Sequence, residues 1–399
     1  MPLQFAQRLE NVETSAIREL FKLLGKPEII SFAGGFPDAA MFDTDGIKQA
    51  AIDALNLEPG AALQYGATEG YNPLREQLSN LMEARGVKDA TPAGLIVTTG
   101  SQQALDLIGK CLLGPGDKVI VEAPTFLATI QCFRLYGAEV IGAPIDEDGV
   151  VPERLEELIS LHKPKLVYLV PSFGNPSGAM LSAARRKQVL EIALKHRTLI
   201  VEDDPYGDLY FGGTPPPLSL YSMASEIPGC RDWVVYCGSL SKVVSPGLRI
   251  GWIAGQPELL ANATMCKQFS DAHTSTFAQA TAARYLASGR LPACLTKVRQ
   301  VYAQRAKAMG DFLERDLGPA IDFIRPKGGM FYWARLTGWG GGETDAEVVA
   351  RRAISHGVAF VPGTPFYATD PDRSTLRLSF ATADEARIQE GVQRLVKAL

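Results

Sequence analysis

A lysine set among small hydroxyl residues is the most chemically loaded point of this sequence. Lys242 lies in Gly238-Ser-Leu-Ser-Lys242-Val-Val-Ser-Pro-Gly-Leu-Arg249-Ile-Gly251, directly after the apolar β-like run Trp233 to Cys237. Arg249 follows behind a Pro-Gly break. A lysine there is poorly placed as a surface charge. Its small neighbours let a bulky group approach the amine, and the hydroxyls together with the arginine suit an anion. The implied chemistry is imine formation between Lys242 and a phosphorylated aldehyde cofactor, which needs a neutral, accessible amine.

That chemistry requires more residues. A carboxylate must pair with the cofactor's pyridine nitrogen, keeping it protonated and able to accept electrons. Asp203 suits this, because it ends the run Leu199-Ile-Val-Glu-Asp203, where a carboxylate against a ring cation would be partly buried and held ionised. Asp203-Asp204-Pro205 also reads as ordinary turn chemistry. Tyr206 and Asn175 can donate to a phenolate oxygen, and Phe126 can lie over a ring. Ser101, the Gln102 backbone, Ser239, Ser241 and Arg249 make a phosphate set, with Arg249 able to act bidentately. A substrate carboxylate needs an arginine of its own. Arg377 in Thr375-Leu-Arg377-Leu-Ser-Phe380 is the candidate, although strand alternation alone makes it a sheet-surface charge.

The elements that would carry these residues alternate between strand and helix. Strands are expected at 95–99, 118–122, 138–145, 165–171, 198–203, 233–238 and 249–255, with helices from Gly100-Ser101 to Leu113, from Pro124 onward, and at 152–162 and 182–196. This pattern predicts an α/β fold, with a mostly parallel sheet covered on both faces. Ligands bind such sheets outside the carboxyl ends of the strands. Ser101, Phe126, Asn175, Ser239 and Lys242 follow strands, and Asp203 ends one. The Gly100-Ser101 turn at a helix start is a ready anion site, although a plain serine cap explains the same residues. After residue 257 the pattern turns helical, with a long helix over 291–316. Strands at 321–325, 329–336, 358–362 and 374–380 and helices at 344–357 and 383–398 follow, forming a smaller α+β lobe. The domain expectation is an N-terminal arm over 1–45 joining the small domain, a large domain over 46–290 and a small domain over 291–399. Near the N-terminus, Ile17, Leu20, Phe21 and Leu24 make one apolar helical stripe, and Ser15 and Arg18 share the opposite face. By spacing alone Arg18 is an exposed charge on an amphipathic helix.

Composition narrows the class. The chain has 399 residues, 46% hydrophobic and 21% charged, with a net charge of −4. It is a globular composition with no electrostatic case for nucleic acid or membrane binding. The six cysteines are scattered without a C-x-x-C pair, and the four histidines are far apart. Neither a disulfide framework nor a metal site is expected. The first ten residues lack the apolar core of a secretory leader, so a cytoplasmic location is expected.

Taken together, Asn175-Pro-x-Gly178, Asp203-x-x-Tyr206, Ser239-x-Ser-Lys242 with Arg249, and Arg377 resemble fold-type I, class I/II aminotransferases dependent on pyridoxal 5′-phosphate. Order and spacing agree across nearly the whole chain. Thr14-Ser-Ala-Ile-Arg18-Glu-Leu, Ser31-Phe-Ala-Gly-Gly35, Leu63-Gln-Tyr65, Gly100-Ser-Gln-Gln-Ala-Leu-Asp-Leu107 and Arg325-Pro-Lys-Gly-Gly-Met-Phe331 are similar to the 2-aminoadipate (kynurenine/aminoadipate-type) branch. The resemblance implies an aspartate aminotransferase-like fold, with Lys242 as the imine lysine and proton carrier. It makes Arg377 the α-carboxylate site, with Gly35 and Asn175 beside the substrate. It places Tyr65 at the phosphate of a neighbouring subunit in a homodimer. It also places Arg18, with Ser15, on a helix that pairs with a substrate's side-chain carboxylate. One departure is Phe126, where relatives often carry tyrosine. The implied reaction is a ping-pong transfer from an L-amino acid to a 2-oxo acid. β-Elimination or racemisation on the same cofactor is the alternative. An aminotransferase-like regulatory domain is a weaker one, since no basic module precedes the match.

Overall fold

The computed structural model describes residues 3–9 and 28–399. The expected helix carrying Ser15 and Arg18 lies outside the described residues. A short strand β1 (Ile30–Ser31) comes first. The large sheet then comprises β2 (Leu95–Thr99), β3 (Lys118–Ala123), β4 (Glu139–Asp146), β5 (Gly149–Val150), β6 (Leu166–Leu169), β7 (Leu199–Asp204), β8 (Val234–Ser239) and β9 (Ile250–Ala254). Its order is β2-β9-β8-β7-β6-β3-β4-β5. The pairs β8/β7, β7/β6, β6/β3 and β3/β4 are parallel, while β9 runs antiparallel to both β2 and β8. β6, β8 and β9 are buried at every position. That is why these segments read as continuous apolar runs instead of alternating ones: helices cover both faces.

The helices Ser101–Leu112, Leu127–Leu135, Pro152–His162 and Ala183–His196 connect successive strands. Punctuation residues set their limits. The first stops before Gly114-Pro-Gly116, where Gly116 has φ +83. Pro152 opens the third, where a missing N–H costs nothing. The second begins at Leu127 instead of Pro124, with Phe126 as its N-cap residue. Its approach is pinned from the far side of the cleft, as the Thr125 N–H donates to the Phe366 carbonyl at 2.8 Å.

A second, four-stranded antiparallel sheet has the order β10-β11-β14-β13. Its strands are β10 (Ile321–Phe323), β11 (Phe331–Leu336), β13 (Val361–Pro362) and β14 (Thr375–Ser379). The single strand expected over 358–362 is two. β12 (Val358–Ala359) pairs in parallel with β1, and β13 pairs with β14. The chain changes sheets at Phe360, and Pro362 has no N–H with which to prolong a ladder. The long helix runs from Leu291 to Asp316 as expected. The N-terminal segment is tied to this part of the chain. The Ser379 N–H donates to the Phe32 carbonyl at 2.7 Å, and the Asp38 N–H donates to the Tyr302 hydroxyl at 3.1 Å.

Candidate active site

The carboxyl ends of β2, β6, β7 and β8 open into one cavity of about 400 Å³. Of the residues singled out above, Gly35, Ser101, Gln102, Phe126, Asn175, Asp203, Tyr206, Ser239, Ser241, Lys242, Arg249 and Arg377 all line it. They come from positions spread over more than three hundred residues; the large sheet gathers most of them at its strand ends, and Gly35 and Arg377 come from outside it.

Lys242 sits in the turn after β8, and its Nζ donates to the Gly35 carbonyl at 2.7 Å. Burial, with Arg377 and Arg249 adding repulsion, brings its pKa down to about 8. A neutral amine is therefore accessible near neutral pH, as nucleophilic and base chemistry both require.

Asp203 is buried at the end of β7. The Tyr168 hydroxyl donates to its Oδ2 at 2.8 Å, while Oδ1 is buried with no partner. Desolvation pushes its pKa up to about 7, against the lowering effect of Tyr168. An orphaned carboxylate oxygen in such a place calls for a cationic N–H donor, which would restore the charged form.

One end of the cavity is built for an anion. Ser101 opens the helix Ser101–Leu112, so the first N–H groups there have no carbonyl in their own helix. Two glycines let the surrounding groups close in. A Cβ on Gly100, which has φ +77, would stand 2.6 Å from Arg249 Nη2. A Cβ on Gly251 would stand 2.7 Å from the Ser101 nitrogen. Arg249 Nη2 donates to the Thr99 carbonyl at 3.3 Å, leaving the rest of the guanidinium for a ligand. The Ser239 Oγ accepts from the Ser241 N–H at 3.1 Å.

At the opposite end lies Arg377. It is buried, as are all five positions of β14, so it is not the sheet-surface charge that alternation suggests. Its guanidinium lies 4.4 Å from the Phe331 ring centre and 5.1 Å from that of Phe366. Nη1 donates to Asn175 Oδ1 and Nη2 to the Ala33 carbonyl, both at 2.7 Å, while Nε is buried without a partner. Burial lowers its pKa to about 10. Tyr206 is buried between these groups, its ring edge-on to Phe331, and burial pushes its phenol up.

Tyr65 is not brought to this cavity. Its side chain is 85% exposed, with its ring edge against His273. Arg18 and Ser15 lie outside the described residues. Sequence reasoning missed Tyr168, Phe331 and Phe366. Tyr168 had a signal, as the one polar side chain in the buried run Leu166–Leu169. The aromatic bed of Arg377 had none, because Phe331 comes from β11 and Phe366 from the short 3-10 turn Thr364–Phe366.

The model of the family described as aminotransferase class I and II matches residues 27–395. The chain belongs to the class I and II aminotransferases. This aminotransferase is 41% identical over 397 residues to a 2-aminoadipate transaminase of Thermus thermophilus, covering 99% of this chain and 96% of that protein. It is 37% identical to an aromatic-amino-acid aminotransferase of Thermococcus litoralis, covering 99% and 94%. Among solved structures it resembles the α-aminoadipate aminotransferase of Thermus thermophilus complexed with N-(5′-phosphopyridoxyl)-L-leucine. That match has a TM-score of 0.90 at 40% identity, covering 99% of this chain and 97% of the other. The fold is the aspartate aminotransferase-like fold of pyridoxal phosphate enzymes, and pyridoxal 5′-phosphate is the cofactor. The donor set fits it: an orphaned carboxylate oxygen for a ring N–H, an open helix N-terminus with an arginine for a phosphate, and a depressed lysine amine between them. Among the described residues no helix is long and apolar enough to cross a membrane.

Proposed function

We propose that this aminotransferase moves the amino group of an L-amino acid (2-aminoadipate, glutamate, an aromatic or a branched-chain donor) to a 2-oxo acid, 2-oxoglutarate, by a ping-pong mechanism. The observation that carries the reading is the placement of Lys242. Its partly buried amine, with a pKa of about 8, shares one cavity with Asp203 and Arg377.

Pyridoxal phosphate, when bound, supplies an aldehyde for the amine and a ring that withdraws the electron pair released at Cα. Every other role falls to the chain. Ser101, Gln102, Ser239, Ser241 and Arg249 hold the phosphate, with free N–H groups and a charged fork. Asp203 holds the ring nitrogen protonated, Asn175 and Tyr206 take the phenolic oxygen, and Phe126 covers the ring. Arg377, beside Gly35 and Asn175, takes the substrate α-carboxylate. Lys242 Nζ removes the Cα proton and redelivers it, a step of the kind that contributes about 10²–10⁴-fold.

Three further points belong to this reading. The names of the relatives support acidic and aromatic donors. Phe36, Leu127 and Phe366 in the cavity wall suit an apolar side chain, and Arg18 is the proposed partner for an acidic one. A homodimer is supported by the exposure of Tyr65 together with exposed Leu63, Phe269 and Phe277, and we assign Tyr65 to the partner's phosphate. The division into an arm over 1–45 and domains over 46–290 and 291–399 is supported by the separate eight-stranded and four-stranded sheets and by the bonds of Phe32 and Asp38 to the C-terminal part. A cytoplasmic location rests on the scattered cysteines, all six of them free.

The test is a half-reaction screen. Single amino acids are added to the holoenzyme and conversion of the cofactor to its amine form is followed by absorbance. Donors from the acidic and aromatic classes react; if no amino acid does, the assignment fails. If acidic donors react no faster in wild type than in Arg18→Ala, the role of Arg18 fails.

A further inference from the structure

A fully buried lysine lies behind the phosphate end of the cavity. Lys267, on the helix Pro257–Ser270, is completely buried and does not line the cavity. Its Nζ is bonded to Gln103 Oε1 at 2.8 Å, to Asp271 Oδ1 and Oδ2 at 2.9 and 3.0 Å, and to Thr274 Oγ1 at 3.0 Å. Each of these partners touches the Thr99 corner. Gln103 Oε1 accepts the Thr99 N–H at 2.7 Å. Asp271 Oδ2 accepts from Thr99 Oγ1 at 3.1 Å and from Gln103 Nε2 at 2.7 Å, and Thr274 Oγ1 lies 3.1 Å from the same hydroxyl. On the other side, Arg249 Nη2 donates to the Thr99 carbonyl. Thr99 is thus held at its N–H, its hydroxyl and its carbonyl, one residue before the Gly100-Ser101 turn.

We propose that Lys267 is a positioning residue for the cofactor phosphate: through Gln103, Asp271 and Thr274 it fixes the Thr99–Ser101 turn, and so aims the first N–H groups of the helix Ser101–Leu112 and the guanidinium of Arg249 at one phosphate. The proposal rests on the phosphate placement given above. Two physical points support it. Lys267 is fully buried while the Asp271 side chain is 30% exposed; burying an ammonium is costly even when it is paired, so stability alone is a weak reason for it. Hydrogen bonds lose strength steeply as the donor angle falls, so a phosphate held by backbone N–H groups is sensitive to small rotations of the turn. Gly100, at φ +77, leaves that turn without a side chain to brace it. The bracing comes from behind.

The test compares two probes that differ only in the phosphate. The full chain is reconstituted with pyridoxal phosphate and, separately, with pyridoxal, and both dissociation constants are measured by absorbance and fluorescence. Lys267→Met is expected to weaken pyridoxal phosphate by about tenfold or more while changing pyridoxal by less than about twofold. Asp271→Asn, which keeps the shape of the site, is expected to shift the ratio in the same direction and serves if Lys267→Met fails to fold. Equal changes for both probes, or a lower melting temperature with no change in the ratio, overturn the proposal. Arg249→Ala is the control. If it too leaves the ratio unchanged, the phosphate placement itself is wrong; if it collapses the ratio while Lys267→Met and Asp271→Asn do not, only the role of Lys267 is lost.

Discussion

The Tyr168 hydroxyl donates to Asp203 Oδ2 at 2.8 Å and leaves Oδ1 buried without a partner. One oxygen of the carboxylate is thus anchored by the protein, and the other is left for the ring nitrogen in the function proposed above. The anchor also opposes the burial that pushes Asp203 up to about 7. Tyr168→Phe removes a lowering influence, so the Asp203 pKa rises further and the acid limb of the kcat/KM profile moves to higher pH. A hydrogen bond to a charged group of this kind contributes enough that kcat should fall by about tenfold. An unmoved acid limb would show that Tyr168 does not tune Asp203.

Asp203→Asn should trade activity for stability. The folded pKa of about 7 lies above the ordinary 3.8, so the folded cofactor-free chain opposes ionisation that the unfolded chain allows. The cost begins above the unfolded pKa, grows as pH rises and is complete above the folded pKa. Melting of the cofactor-free proteins should show Asp203→Asn more stable than wild type at about pH 8, with a smaller gap at about pH 5. In the holoenzyme the same change should lower kcat by about 10²–10³-fold, since the ring loses its charged partner. A variant that is no more stable at the higher pH would contradict the burial account.

The depressed pKa of Lys242, about 8 instead of 10.5, sets the pH dependence of cofactor uptake. Only the neutral amine attacks an aldehyde. The rate at which cofactor-free protein captures pyridoxal phosphate should therefore rise up to about pH 8 and flatten above it. Stopped-flow absorbance over a pH series reads this directly, and a rate that keeps rising to pH values typical of a free lysine would refute the shift.

Arg377→Lys keeps the charge and loses the fork. Nη1 and Nη2 are engaged by Asn175 and Ala33, so the guanidinium plane is fixed before substrate arrives, with Nε still unpaired. An ammonium cannot span those partners and also take a carboxylate bidentately. KM for amino acids should rise about 10–100-fold while cofactor affinity stays unchanged. A matched loss in cofactor affinity would place Arg377 in the cofactor's own site instead.

Much of the site was readable before folding because parallel strands deliver their chemistry at one place. Ser101, Asp203, Ser239 and Lys242 each follow an apolar run, and strand ends in a parallel sheet converge whatever the order of the strands. The limits of most elements were readable too, since Gly114-Pro-Gly116 and Pro152 act within their own turns. The strand over 358–362 was misread because its division at Phe360 depends on which neighbours pair with each half, β1 on one side and β14 on the other.

Residue types and spacing alone pointed to Lys242 as a reactive amine, and to a carboxylate, a phosphate set and a second arginine to serve it. Those are local facts: a lysine among serines, an aspartate at a strand end, an arginine after a Pro-Gly break. Long-range packing settled everything that depends on who lies next to whom. Arg377 became a buried guanidinium because Phe331 and Phe366 pack against it and Asn175 meets it across more than two hundred residues. Asp203 became an anchored, half-open carboxylate because Tyr168 stands on the adjacent strand. Lys267 came into play because its helix packs behind a turn far from it in the chain. Desolvation and hydrogen-bond geometry are properties of neighbourhoods, and a neighbourhood exists only once the chain has folded.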